Sequence, residues 1–97
     1  MQIEQRKQLY KQAIETWGDR AQLEMAQEEA TELALAIRRL IRGKDGALEE
    51  LIGEIADVEI MIEQIKYMTP HITNDIETTK DFKLERLRGR LENKQFN

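Results

Sequence analysis

Two clusters of carboxylates are the residues of this chain whose types and spacing could do chemistry. The first, EEATEL, places Glu29 and Glu32 three residues apart, directly after Glu28, and the second, EIAD, places Glu54 and Asp57 three residues apart. On a helix, residues three apart lie one above the other on the same side. Like charges at this spacing repel, and burying them part-way costs more still unless a cation pairs with them. Both clusters therefore raise the possibility of a metal site.

The neighbouring apolar residues indicate where these acids point. At about 100° per residue, Glu29 lies at the edge of a broad apolar arc, with Glu32 further round, while Glu54 borders a second apolar stripe, with Asp57 beyond it. The first arc comprises Ala26, Ala30, Leu33, Ala34, Ile37, Leu40 and Ile41, and the second comprises Leu51, Ile55, Val58, Ile62 and Ile65. If the two helices pack antiparallel, the four carboxylates can converge. Mg²⁺ prefers such oxygen ligands and commonly binds phosphates as well.

The elements that must position these acids are four helices, and the expected fold is an all-α four-helix bundle in one domain, 1–97. A WGDR break, a turn between Gly43 and Gly46, and Pro70 separate the segments. Asp19 is the predicted N-cap of the second helix. Short links between long helices favour antiparallel neighbours. The predicted helices span about 3–16, 20–42, 47–68 and 73–93.

Composition excludes several classes of protein. The 97 residues include no cysteine, so no disulfide framework or thiolate metal site is expected. The net charge of −4 gives no electrostatic footprint for nucleic acid. No apolar run approaches the length of a membrane span, and the first residues have no signal-peptide pattern. We expect a cytoplasmic protein that binds neither nucleic acid nor membrane.

The same residues resemble a known family. EEATEL matches the E-E-x-x-E signature of MazG-like nucleotide pyrophosphohydrolases, and EIAD matches their E-x-x-D signature. WGDRAQLEMAQEEATEL resembles the family's entry into the acidic motif, and EIADVEIMIEQIK and KLERLRGRL resemble its small single-domain members from phages and their bacterial hosts. Many members read E-E-L-G-D in the second motif, whereas Gly53 precedes Glu54 and Ala56 precedes Asp57 here. The spacing of the two acids is unchanged.

The resemblance implies an all-α homo-oligomer, a dimer or a tetramer, that hydrolyses a nucleoside triphosphate to the monophosphate and pyrophosphate in nucleotide-pool house-cleaning. It implies Mg²⁺ as cofactor, with Mn²⁺ as a possible substitute. Glu29, Glu32, Glu54 and Asp57 would be the metal ligands. Glu28, or a carboxylate such as Glu29 where the metal does not fully engage it, is the candidate general base.

A triphosphate substrate also requires cations and a site for its base. Lys83, Arg86 and Arg90 fall within about 60° on the fourth helix, where guanidinium groups suit phosphate oxygens; the alternative is a charged flank paired with neighbouring acids. Trp17, the single tryptophan, is a candidate for stacking on a base, although a lone Trp more often caps a core. Gln22 is a candidate for contacting a base edge.

Two other functions compete with this hypothesis. A di-iron carboxylate bundle needs Glu-x-x-His pairs on two helices, and the single histidine, His71, follows Pro70 in a predicted loop. A non-catalytic helical dimerisation or regulatory module fits the composition equally well, since glutamates three apart are common on solvated helix faces. That module would leave both acid pairs without a purpose. No residue identifies the preferred base.

Overall fold

The computed structural model describes residues 1–93, and they form four α-helices with no strand among them. The all-α four-helix architecture predicted from the sequence is confirmed, and every helix end lies within one residue of its predicted position. The final part of the predicted domain, 94–97, lies outside the described residues. The helices are α1 (Ile3–Trp17), α2 (Asp19–Ile41), α3 (Ala47–Met68) and α4 (Ile72–Glu92).

A single residue, Gly18, separates α1 from α2. Its φ of 89° lies in the region that favours glycine. Its N–H donates to the carbonyl of Ile14 at 2.7 Å, and its own carbonyl accepts from the N–H of Gln22 at 3.2 Å. The prediction that Asp19 caps α2 is wrong, because Asp19 is the first helical residue and Gly18 occupies the cap position.

The centre of the bundle is the hairpin of α2 and α3, which pack along each other far more extensively than any other pair of helices. Gly43 and Gly46, both with positive φ, form the turn between them. Next to this turn, Arg39 of α2 pairs with Glu50 of α3. The short connection makes the two helices antiparallel, so the middle of α2 lies beside the middle of α3.

The packed seam of the hairpin follows a repeat of alternating three- and four-residue steps, as in a coiled coil. The least exposed positions along it are Gln22, Ala26, Glu29, Leu33 and Ala36 on α2, and Ala47, Leu51, Glu54, Val58, Met61 and Ile65 on α3. Glu29 and Glu54 thus belong to the seam itself. The sequence had placed both at the border of the apolar faces.

The predicted apolar arcs are wider than one neighbouring helix can cover. Ile37 and Ile41 on α2, and Ile55 and Ile62 on α3, stay exposed, with exposed fractions of 68% for Ile41 and 44% for Ile62. Part of each arc therefore lies outside the core of this chain. No described helix has both the length and the hydropathy that a membrane span needs.

Helix α1 crosses the hairpin and is fixed to α3 by a polar network. The hydroxyl of Tyr10, which is buried, donates to the Glu63 carboxylate. The other oxygen of that carboxylate lies 3.5 Å from the Arg6 guanidinium. Helix α4 is the least packed member of the bundle: none of its residues is buried, and it packs along none of the other three helices to a comparable extent.

Candidate metal centre

Three of the predicted acids meet where the middles of α2 and α3 cross. Glu29 comes from α2, and Glu54 and Asp57 come from successive turns of α3. One carboxylate oxygen from each of the three lies within 4.8 Å of the corresponding oxygens of the other two. The spacing of three residues on α3 and the antiparallel seam produce this convergence together. We call these three residues the acidic triad.

The acidic triad is partly withdrawn from water and poorly neutralised. Glu29 and Glu54 are half-buried, whereas Asp57 is exposed. The Oε2 atom of Glu54 is buried and has no hydrogen-bond partner. The ion pairs seen between described residues involve other acids. A buried carboxylate oxygen without a partner costs free energy unless something positive approaches it.

The electrostatics of Glu29 show the same lack of neutralisation. Partial burial raises the pKa of Glu29 above its ordinary value, and the negative charges of Asp57 and Glu54, a hydrogen bond with Asp57 and the charge of Glu32 raise it further, in that order. Burial and like charge both disfavour the ionised carboxylate. The triad therefore concentrates negative charge on a seam whose other positions, apart from Gln22, hold apolar side chains.

This donor set suits a hard divalent cation. Carboxylate oxygens are the preferred protein ligands of Mg²⁺ and Mn²⁺, and the triad offers no nitrogen or sulfur that would favour a softer metal. The orphaned Oε2 of Glu54 is the kind of atom that a bound cation would satisfy. The described residues thus fit a metal site, and its predicted ligands Glu29, Glu54 and Asp57 are brought together.

The other two acids of the first motif are close to the triad but outside it. Glu32 lies one turn beyond Glu29 and is exposed. Its charge still acts on Glu29, although its carboxylate is not among the converging oxygens. Glu28 is also exposed and lies on the far side of Glu29 from the apolar arc. The fourth ligand and the general base therefore stay predictions.

The three predicted phosphate-binding residues, which we call the basic stripe, lie on α4 and are not next to the acids. Lys83 and Arg86 are exposed, and Arg90 is half-buried. Lys83 lines a shallow cleft whose other walls, among them Asp75 and Thr79, also belong to α4. Because α4 does not pack along α2 or α3 within the described residues, the phosphate-binding role of this stripe stays a prediction.

The two predicted base contacts are in different environments. Gln22 is only 2% exposed and lies in the seam. Trp17 is 65% exposed and so does not cap the core; it lines a cavity of about 620 Å³ between α1 and α3. The same cavity contains Gln64, a residue that the sequence analysis had not selected. The one feature of the sequence that could have identified Gln64 is its spacing of seven residues from Asp57, which places both residues on the same side of α3.

No protein-family model, curated protein or solved structure matches the chain. The acidic triad and its surroundings are therefore the features of the molecule that bear on its function.

Proposed function

We propose that this protein is a Mg²⁺-dependent nucleoside triphosphate pyrophosphohydrolase, which converts a (d)NTP into the (d)NMP and pyrophosphate in nucleotide-pool house-cleaning. The observation that carries the proposal is the convergence of Glu29, Glu54 and Asp57 from two helices, with one buried oxygen of Glu54 left without a partner. The resemblance of EEATEL and EIAD to the MazG-like motifs supports the same function.

The reaction is a hydrolysis at phosphorus. The oxygen of water bonds to the α-phosphorus, the bond from that phosphorus to the α–β bridging oxygen breaks, and pyrophosphate leaves. Phosphoryl transfer depends mainly on positioning and on neutralising charge. A bound Mg²⁺ would supply that neutralisation and lower the pKa of a bound water.

The carboxylates of the chain would bind the metal and accept the proton of the attacking water. Glu29, Glu54 and Asp57 would hold the metal, with Glu32 as a further ligand. Glu28 is exposed beside the triad, and there a carboxylate that binds no metal is free to take the proton of the attacking water. Glu29 is the alternative acceptor if the metal leaves one of its oxygens free.

The cationic part of the site comes from α4 in this proposal. Lys83, Arg86 and Arg90 would hold the β- and γ-phosphates. Because α4 does not pack along the helices that carry the triad, this role requires either a shift of α4 or an α4 from a second copy of the chain. The hairpin also has an exposed apolar surface, on the side away from Asp57.

That surface supports the proposal of a homo-oligomer, a dimer or a tetramer. At about 100° per residue, nine of the exposed apolar residues of α2 and α3 project to the same side of the antiparallel hairpin, away from Asp57. They are Leu23, Ala30, Ala34, Ile37 and Ile41 on α2, and Leu48, Ile52, Ile55 and Ile62 on α3. We call these nine residues the apolar face. Contiguous apolar surfaces of this kind mark interfaces, and two copies related by a two-fold axis would cover each other's face.

The decisive experiment measures pyrophosphate release from a panel of dNTPs with and without Mg²⁺. We expect Mg²⁺-dependent release by the wild type and a loss of at least about 100-fold in Asp57→Asn and Glu54→Gln, the range seen when a metal's surroundings are impaired. Glu49→Gln is the matched control, because Glu49 is exposed in the first turn of α3, outside both the triad and the apolar face, and loses the same charge. Equal turnover in all three variants would refute the metal site.

The alternative, a non-catalytic helical module, is favoured by one observation, which is the size of the apolar face. Such a module would oligomerise equally well. It gives no reason for a buried, unpartnered Glu54 oxygen beside two further carboxylates. The pyrophosphate assay separates the two functions, since the module would release none.

A further inference from the structure

A second cavity lies between α1, α3 and the first turn of α4. Its volume is about 440 Å³, and its lining residues include Lys66 of α3 and Thr73 of α4. Lys66 follows Asp57 by nine residues, so it projects to the opposite side of α3, about 14 Å further along the axis. This space is therefore separate from the acidic triad. We call it the cationic cavity, because three of the four charged residues that line it are basic.

The one acid among these lining residues, Glu63, is already neutralised. One of its carboxylate oxygens accepts a hydrogen bond from the Tyr10 hydroxyl, and the other lies 3.5 Å from the Arg6 guanidinium. Glu63 therefore leaves the charges of the two other basic residues, Lys7 and Lys66, without compensation. Although the whole chain has a net charge of −4, this cavity has an excess of positive charge.

Neither lysine of the cavity has a strong ion pair. Lys7 lies 3.8 Å from Glu4, but both side chains are exposed, and exposed pairs of this kind contribute little to stability. Lys66 is half-buried and makes no ion pair within residues 1–93. A half-buried ammonium group without a counter-charge gains free energy when an anion approaches it.

Two hydroxyl groups of the cavity also lack partners. Tyr67 and Thr73 are half-buried and line the cavity, and neither hydroxyl forms a hydrogen bond within the described part of the chain. Four other threonines, by contrast, each donate to the carbonyl four residues earlier. The lining of the cavity thus includes two ammonium groups and two hydroxyls, all of which are hydrogen-bond donors.

We propose that the cationic cavity binds the phosphate group of a small organic phosphate monoester. At neutral pH such a group has a charge of about −1.5 to −2 and three acceptor oxygens. These match two lysines and two hydroxyl donors better than the single charge of a carboxylate does. Lysine commonly binds phosphate as a point charge. This site goes beyond the proposed function and does not rest on it.

The size and walls of the cavity indicate the rest of the ligand. A volume of about 440 Å³ is within the range of small-molecule sites and exceeds what one phosphate group fills. Ile3 and Tyr67 add nonpolar surface to the walls, against which a small organic group can pack. Because Thr73 belongs to α4, the bound molecule would also join this loosely packed helix to α1 and α3.

The test is isothermal titration calorimetry in chelator at about pH 7.5, where a phosphate monoester is mainly dianionic. The probes are phenyl phosphate, orthophosphate, and benzoate, which has the ring but a single charge. We expect phenyl phosphate to bind with a Kd of about 1 mM or below, and at least about 10-fold more tightly than benzoate. Orthophosphate should bind more weakly than phenyl phosphate. No saturable binding of phenyl phosphate, or equal or tighter binding of either other probe, would overturn the proposal.

Variants assign the binding to the cavity. Lys66→Gln should weaken phenyl phosphate about 10-fold, because one charged hydrogen bond is lost. Lys44→Gln is the matched control, since Lys44 is exposed in the turn between α2 and α3 and loses the same charge. Unchanged affinity in Lys66→Gln would refute the site, and so would a loss in Lys83→Gln alone, which would place the anion on the basic stripe. If Lys66→Gln does not fold, Lys7→Gln at an exposed position of the same cavity gives the same comparison.

The outcomes for this site and for the proposed hydrolase can be told apart. Chelator removes any metal from the acidic triad, so phosphate binding measured there is independent of the triad, and Asp57→Asn should not change it. Binding of phenyl phosphate without pyrophosphate release in Mg²⁺ would retain the cationic cavity and refute the hydrolase. Pyrophosphate release by a protein that binds no phenyl phosphate in chelator would retain the hydrolase and refute the cavity.

Discussion

Glu29 of α2 and Glu54 of α3 meet inside the packed seam of the hairpin, with carboxylate oxygens within 4.8 Å of each other. Positions of this kind elsewhere in the seam hold Leu33, Ala36 or Met61. Two acids at such positions repel each other and are partly desolvated, so they make the metal-free hairpin less stable. A cation bound between them would relieve this repulsion.

Neutralising Glu29 should therefore stabilise the metal-free protein and weaken its response to metal. We expect Glu29→Gln to raise the free energy of unfolding by on the order of 1 kcal/mol, because repulsion among the triad falls. The measurement is a thermal melt in chelator, where this change corresponds to about 4–8 °C for a domain of this size. Glu28→Gln is the control, since it removes the same charge one residue away at an exposed position. Destabilisation by Glu29→Gln in chelator would contradict the account of the seam.

Added metal should stabilise the wild type by mass action. A cation that binds only the folded state contributes about 2.7 kcal/mol when its concentration is 100 times its Kd. We expect the melting temperature to rise with Mg²⁺ or Mn²⁺ and to rise much less in Asp57→Asn. Potassium chloride at the same ionic strength serves as control for screening. A helical module without a metal site would show no difference between the magnesium and potassium salts.

The network that joins α1 to α3 predicts a loss of stability at alkaline pH. Burial raises the pKa of Tyr10 to about 12, aided by its hydrogen bond to Glu63 and the charge of that carboxylate, whereas Arg6 opposes the shift. A pKa raised on folding gives a contribution that is fully present below the ordinary value of 10.0 and is lost as pH rises through the folded value. We expect the free energy of unfolding to fall between about pH 10 and 12.

Tyr10→Phe tests this assignment, because the variant cannot ionise and should lack this part of the alkaline decline. In a Tyr67→Phe background, tyrosinate absorbance then reports Tyr10 alone, the two being the only tyrosines. Titration of Tyr10 near its ordinary pKa in the folded protein would show that the bond to Glu63 does not form in solution.

The apolar face predicts the assembly state. We expect light scattering to give a multiple of the 11.4 kDa protomer, and Ile52→Glu to reduce that multiple, because a charge buried in an interface is costly. Leu84→Glu is the control: Leu84 is about as exposed as Ile52 but lies on α4, outside the face. A wild-type monomer at micromolar concentration, or equal dissociation by both variants, would contradict the proposed interface.

The helices were predictable because their ends are marked locally. Gly43, Gly46 and Pro70 interrupt the helical pattern whatever the rest of the chain does. The pairing of Glu54 with Asp57 was equally local, since it depends only on a spacing of three residues. The meeting of these acids with Glu29 needed one further step, the antiparallel hairpin, which the short turn supplies.

The features that could not be predicted from the sequence are those that depend on which helix packs against which face of another. The arc that includes Ile37 and Ile41 is apolar throughout, and nothing in its pattern shows that α3 covers one border of it and leaves the rest exposed. The burial of Gln64 could not be predicted, because it arises from the packing of α1, a long-range contact. A lone Trp more often caps a core, but the position of Trp17 at the last turn of α1 leaves it exposed.

The position of bond cleavage is the sharpest test of the proposed chemistry. Enzymes that remove the γ-phosphate normally hold the triphosphate in a glycine-rich loop ahead of a helix, with a lysine reaching the terminal phosphates. This chain has no G-x-x-x-x-G-K-S/T sequence, and its acidic triad lies on the sides of two helices, where a metal can clamp the attacked phosphate. We therefore expect water to attack the α-phosphorus. In ¹⁸O-water, hydrolysis of any accepted dNTP should place the label in the monophosphate, which mass spectrometry detects. Label in pyrophosphate would indicate attack at the β-phosphorus, and diphosphate with orthophosphate as first products would indicate attack at the γ-phosphorus; either result would refute the proposed reaction, even if the metal site proved correct.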